Sequence, residues 1–264
     1  MEKRSRIYNL YYEWWKNIDK FIFSLVVLLF IVGLFFSLVS TSLIASDKLN
    51  TNGYSFFFKH LIFIFLGIIV IFSFSSIDQK KLFKFSFFLF FISLFFLVLV
   101  PLIGVEVKGS KRWIDLYLLP RFQPIEIVKP FLIVAISLIL SSEKYSNLYL
   151  KYFLTLSITL IVVLFLVLQP DLGQTLLVLF SWSVLIFTSG INIIFLLILF
   201  LISMIVISYL IIFIPKFEYI KNRLLSFFDK EMGTYNFQSD KAIESITSGG
   251  FFGKGIGEGT LKNR

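Results

Sequence analysis

The chain has no cysteine and a single histidine, His60. The first absence excludes disulfides, thiolate metal sites and a cysteine nucleophile, and the second excludes a site built from several histidines. No Ser–His–Asp set can be drawn. Acidic residues are also few, with 16 Asp and Glu against 25 Lys and Arg and a net charge of +9. Long stretches lack charge of either sign: Phe21–Ala45 runs 25 residues without one, and Leu172–Pro215 runs 44. What fills these stretches is apolar. The 264 residues are 58% hydrophobic, with a mean hydropathy of +0.89, where a soluble domain sits near 45–50% apolar. The chain therefore reads as an all-α polytopic membrane protein. Its first run is too long for a signal h-region and fits an uncleaved anchor. The basic residues lie between apolar runs, so the anionic partner expected is a membrane lipid or a phosphorylated lipid, with no nucleic acid.

About 20 apolar residues cross a bilayer, which predicts seven transmembrane helices at about 21–45, 61–77, 85–105, 124–142, 152–170, 172–189 and 192–214. The last two divide one uncharged stretch at Ser189–Asn192, because it is twice as long as one crossing needs. Lys3, Arg4, Arg6, Lys16 and Lys20 precede the first span, and a basic loop at 78–84 precedes the third. Both place the N-terminal segment, 1–20, in the cytoplasm. Residues 215–264 then form a long extracytoplasmic loop. On this topology 15 of the 25 basic residues fall outside, several of them in the short loop 106–123. Positive charge held on the wrong side points to a function for it.

The densest polar segment is "KGSKRWIDLYLLPRFQPIEIVKPF". Charges inside a span are costly and are kept for function. Pro124 suits the first position of a helix, which places Glu126 and Lys129 on one face, with Arg121 and Gln123 just before the helix N-terminus. The expectation is a basic, hydrogen-bonding mouth at the outer surface; a collar of snorkelling side chains is the plainer alternative. In "QPDLGQ" (Gln169–Gln174), Asp171 either caps the following helix or faces that mouth as an acidic cavity residue. The ending "SGGFFGKGIGEGT" fails the phosphate-loop and dinucleotide patterns at Ser248, Gly255 and Glu258, and its glycines read as turns. The acids of 215–264 show no spacing that singles out a catalytic pair.

Three blocks together, "GSKRWIDL…PRFQPIEIVKPF", "QPDLGQTLLVLFSW" and "YNFQ…SGGFFGKGIGEGT", resemble the SEDS family of shape, elongation, division and sporulation proteins. The likeness covers roughly residues 100–264, and the ending resembles the division-type, FtsW-like members. It implies a ten-helix fold and a peptidoglycan glycosyltransferase that polymerises lipid II at the outer face of the bacterial cytoplasmic membrane. The implied partners are a class B penicillin-binding transpeptidase and other division proteins. Arg121, Gln123, Glu126 and Lys129 match the family's "R-x-Q-P-x-E-x-x-K", Asp171 its "QPDLG", and Arg112 its "RW" pair, so these six are the expected substrate-binding residues. No cofactor is required, with room for a divalent cation. The family's expected catalytic aspartate belongs to an "LPE-x-HTDF"-like motif that would follow Arg264. The 264 residues are accordingly expected to be an N-terminal fragment, inactive alone, and no catalytic residue is assigned. A flippase for the lipid-linked precursor and a non-catalytic scaffold of the division machinery stand as alternatives.

Overall fold

The computed structural model describes residues 12–42, 54–107, 110–116, 121–228 and 237–255. In order, its elements are α1 (Lys20–Phe36), which runs on into a π-helical turn (Ser37–Ser42), α2 (Ser55–Ser75) and α3 (Gln79–Ile103). A hairpin of β1 (Val105–Val107) and β2 (Ser110–Trp113) follows, then α4 (Pro124–Ser141), α5 (Leu148–Leu168), α6 (Leu172–Thr188) and α7 (Ile193–Phe213). A 3₁₀ turn (Pro215–Phe217) leads to α8 (Glu218–Phe228) and α9 (Phe237–Gly249). This is a polytopic helical membrane protein. Six of the described helices are long and apolar enough to cross a bilayer. The helix at the sixth predicted span, α6, has 17 residues, roughly 26 Å at 1.5 Å per residue, slightly less than the ~30 Å hydrocarbon core.

Helix ends follow local chemistry more than charge. Asp19 caps α1 through the N–H groups of Phe21 and Ile22, and Asn147 and Asn192 cap α5 and α7 in the same way. The uncharged stretch breaks between α6 and α7, where Gly190 takes a φ of 90°, a conformation open to glycine without strain. Four differences from the sequence reading stand out. α2 begins at Ser55, six residues before the predicted 61, and α3 at Gln79, six before 85. Lys59, Lys80, Lys81 and Lys84 continue these helices because a long cationic side chain can snorkel to the interface while its backbone stays helical. The predicted first span reaches 45, of which 43–45 lie outside the described residues. The expected loop 215–264 is largely helical where it is described, since apolar side chains such as Ile220 and Leu224 recur at helical spacing. The loop 106–123 also carries a hairpin, pairing Val105 with Trp113 and Val107 with Ser110.

Two compact units are present. In the first (1–78 and 226–264), α1 and α2 meet where His60 packs over Gly33 and Phe30 over Gly67, small residues that let two membrane helices approach closely. Trp14 donates to Ser75 Oγ at 2.6 Å and packs on Phe23 and Phe72. The second unit (79–225) is built around α4, which packs on α3, α5 and α6. Each of these helices buries one stripe at three- and four-residue spacing: Phe90, Ser93, Leu97 and Val100 on α3, and Ile125, Val128, Leu132 and Ala135 on α4. On α5 the stripe is Tyr152, Thr155, Thr159, Val162 and Leu166, and on α6 Thr175, Val178, Trp182 and Ile186. The buried hydroxyls of Ser93, Thr155, Thr159 and Thr175 bond back to carbonyls three or four residues earlier. Each can therefore sit in a dry core without an unsatisfied group.

Candidate functional site

One end of the second unit gathers the polar residues of the hairpin, the start of α4 and the corner between α5 and α6. The corner is set by proline and glutamine chemistry. Pro101 within α3 has no N–H to give to the Leu97 carbonyl four residues back. Gln169, buried at the end of α5, donates its amide to that carbonyl at 3.5 Å. Arg112 on β2 then reaches the same corner, donating to the carbonyls of Pro170 at 2.6 Å and Gln169 at 3.5 Å. Its guanidinium also pairs with Asp171 at 3.5 Å, with side-chain exposures of 28% and 10%.

Asp171 serves both readings that its sequence left open. One carboxylate oxygen caps α6 through the Gln174 N–H at 3.4 Å. The other receives the Arg112 contact and the Gln123 side-chain amide at 3.3 Å. Gln123 is the extended N-cap of α4, with Pro124 at the first helical position, and its side chain is free to cross to α6 because it makes no cap bond of its own. One turn into α4, Lys129 pairs with Glu126 at 2.6 Å, the cation 19% and the carboxylate 52% exposed. Gln174 on α6 completes the bridge, donating its amide N–H to the other oxygen of Glu126 at 2.9 Å. Arg121 lies apart from this network. It pairs with Asp115 at 2.7 Å, the two side chains 59% and 28% exposed. An isolated antiparallel bridge between Ile114 and Phe122 holds their strands together.

Five of the six residues expected from sequence thus share one connected network, and Arg121 stands beside it on its own ion pair. The predicted basic mouth is corrected in one respect. Arg112, Arg121 and Lys129 are each paired to a carboxylate, Asp171, Asp115 and Glu126 respectively. Each of these three cations has a carboxylate beside it, so the positive groups are paired instead of unopposed. Gln169, Gln174 and Asp115 were missed. Gln169 and Gln174 bracket the "QPDLGQ" motif, but their partners lie 72 and 48 positions away, so the motif alone does not show what they bond. Asp115 lies six residues from Arg121 in a loop whose pairing spacing does not fix. Among the described residues, no three acidic or histidine side chains cluster to hold a metal ion.

The ending differs from the site in character. Gly250, Gly253 and Gly255 have φ of 57°, 72° and 106°, left-handed turn conformations, and Phe251 and Phe252 between them are fully exposed. Residues 256–264 lie outside the described residues.

A family model described as "Cell cycle protein" (FTSW_RODA_SPOVE) matches residues 19–264, which include every element of this site. The chain belongs to the FtsW/RodA/SpoVE family. Among its relatives is the "Probable peptidoglycan glycosyltransferase FtsW" of Wigglesworthia glossinidia brevipalpis, 30% identical over 99% of this chain and 67% of that protein. The protein of the same name from Caulobacter vibrioides is 25% identical over 94% of this chain and 63% of its own length. The chain therefore spans about two thirds of the length of these relatives. Among solved structures, the crystal structure of the Thermus thermophilus rod shape determining protein RodA is 30% identical, with a TM-score of 0.51 over 66% of this chain and 57% of that one. A structure of a peptidoglycan synthase complex that coordinates polymerization and crosslinking is 28% identical, with a TM-score of 0.61 over 83% of this chain and 66% of its counterpart.

Proposed function

We propose that the protein carrying this chain is an FtsW-type peptidoglycan glycosyltransferase of the bacterial cytoplasmic membrane, with lipid II as substrate and a class B transpeptidase as partner. The observation that carries this reading is the network joining Arg112, Gln123, Glu126, Lys129 and Asp171 across three elements of a membrane bundle, in a family whose relatives are named for this activity. In the reaction an acceptor sugar hydroxyl attacks the anomeric carbon of the donor. A new glycosidic C–O bond forms, the bond to the undecaprenyl pyrophosphate breaks, and the electron pair leaves with the pyrophosphate. Arg121 and Lys129 stabilise that developing charge; a fixed cation does this best in a partly dry site, which describes Lys129, 19% exposed, while Arg121 is the more exposed of the two. Their carboxylate partners keep them in place while no substrate is bound and release them to the phosphates when it arrives. Arg112 and Gln123 act through Asp171, fixing the α5–α6 corner against α4. The proton-accepting group is not assigned to any of these residues.

The test uses the full-length protein with its transpeptidase, supplied with lipid II in detergent. Glycan strands are expected from the wild type, and a sharp loss from Arg121→Ala and from Lys129→Ala. Wild-type rates in both variants would overturn the assignment of the site. Detergent leaves no second leaflet, so polymer formed there also separates an enzyme from a flippase.

A further inference from the structure

Gln174 Oε1 is buried and lacks a hydrogen-bond partner among the described residues. Its orientation is fixed by chemistry. The amide nitrogen must face Glu126, because that carboxylate only accepts, and a flipped amide would set two acceptors 2.9 Å apart. A buried acceptor is costly to leave unmade, and the described donors around it are turned to other partners: Lys129 to Glu126, and Gln123 and Arg112 to Asp171.

We infer that Gln174 Oε1 is the acceptor of a sugar subsite beside the cations, taking a hydroxyl or an acetamido N–H of the bound saccharide. This deepens the reading above and rests on it for the identity of the ligand. The phosphates cannot fill the role, since the oxygens of an esterified pyrophosphate carry no proton at neutral pH and would meet the carbonyl as a second acceptor. The group that satisfies Gln174 must bring a proton, and the sugar is the donor-bearing part bonded directly to the pyrophosphate, with the stem peptide further out. The position suits this. Gln174 stands one turn after Asp171 on α6 and touches Glu126 across from α4, so a sugar bonded to it lies next to the Lys129 ammonium that would hold its phosphate. Gln174 thereby reads the saccharide, while the cations read the charge.

The test compares binding of two ligands by the full-length protein in detergent: lipid II trimmed of its stem peptide, called lipid II below, and undecaprenyl pyrophosphate, which keeps the lipid and the pyrophosphate, with one further ionisable oxygen, and lacks the sugars. The inference expects Gln174→Met to weaken lipid II binding about tenfold, the value of roughly one good hydrogen bond to a buried partner. Undecaprenyl pyrophosphate should bind that variant as it binds the wild type, which also shows that the variant is folded. Lys129→Met should weaken both ligands. An analogue of lipid II with acetoxy in place of acetamido groups separates the two donors: weaker binding to wild type but not to Gln174→Met assigns the N–H, and equal binding assigns a hydroxyl. If Gln174→Met leaves lipid II affinity unchanged, or weakens both ligands alike, the subsite is refuted. Selective loss in a protein that makes no polymer would instead keep the subsite and refute the glycosyltransferase reading.

Discussion

Lys129 and Glu126 lie one helical turn apart, and their pairing at 2.6 Å follows from spacing alone once Pro124 starts α4. The second bond to Glu126, from Gln174, does not. Lys129→Met is expected to reduce polymerisation by about 10²-fold or more, as loss of a group that stabilises transition-state charge does. The rate of glycan-strand formation by the full-length complex checks this, and Lys129→Arg should recover part of it. A different outcome is expected at the α5–α6 corner. The Asp171 side chain is nearly buried against Arg112, and removing one partner of a buried pair leaves the other uncompensated. Asp171→Ala should therefore cost about 3 kcal/mol of stability, read as a lowered unfolding midpoint in detergent. Asp171→Asn keeps an acceptor for Gln174 N–H and should cost less. Both roles of Asp171 are visible as alternatives in "QPDLGQ", but only the position of β2 shows that the two hold together.

At the scale of the helices, the buried stripes show how a membrane bundle is held when its outside is as apolar as its inside. Phe90 on α3 is buried and its neighbour Phe91 is half exposed on the outer face, yet the two are identical in sequence terms. Phe90→Ala should cost about 3–5 kcal/mol through the cavity it leaves. Phe91→Ala should cost far less, because lipid can fill the space. Unfolding in a denaturing detergent titration measures both. The link between α3 and α5 offers a sharper test. Pro101→Ala restores an N–H for the Leu97 carbonyl, which makes the Gln169 side chain redundant there. Gln169→Leu is thus expected to destabilise the wild type more than it destabilises the Pro101→Ala variant. A double-mutant cycle with no coupling between the two sites would contradict the pairing. Neither the stripe nor this link is written in hydropathy, since every helix of this bundle is apolar nearly all round.

For the whole molecule, the predicted topology places the α3–α4 and α5–α6 ends outside and the α4–α5 connection inside. These 264 residues hold no cysteine, so a cysteine placed among them can report its side of the membrane. Lys254→Cys should react with an impermeant thiol reagent added to intact cells, and Glu143→Cys should react only after the membrane is opened; the reverse pattern would invert the orientation. The sequence by itself determined that this chain lives in a bilayer, because long uncharged runs allow no other solvent. It also determined where most helices lie and which short motifs carry charge into or beside the spans. These are local or additive properties, readable from spacing and composition. Only the tertiary structure decided which charges neutralise one another: Arg112 with Asp171, and Arg121 with Asp115 rather than with the helix beside it. It alone also decided that Gln169 and Gln174 join helices distant in the chain. Such pairings depend on how helices cross in space, and side-chain direction about a helix axis is fixed by packing that no single segment encodes.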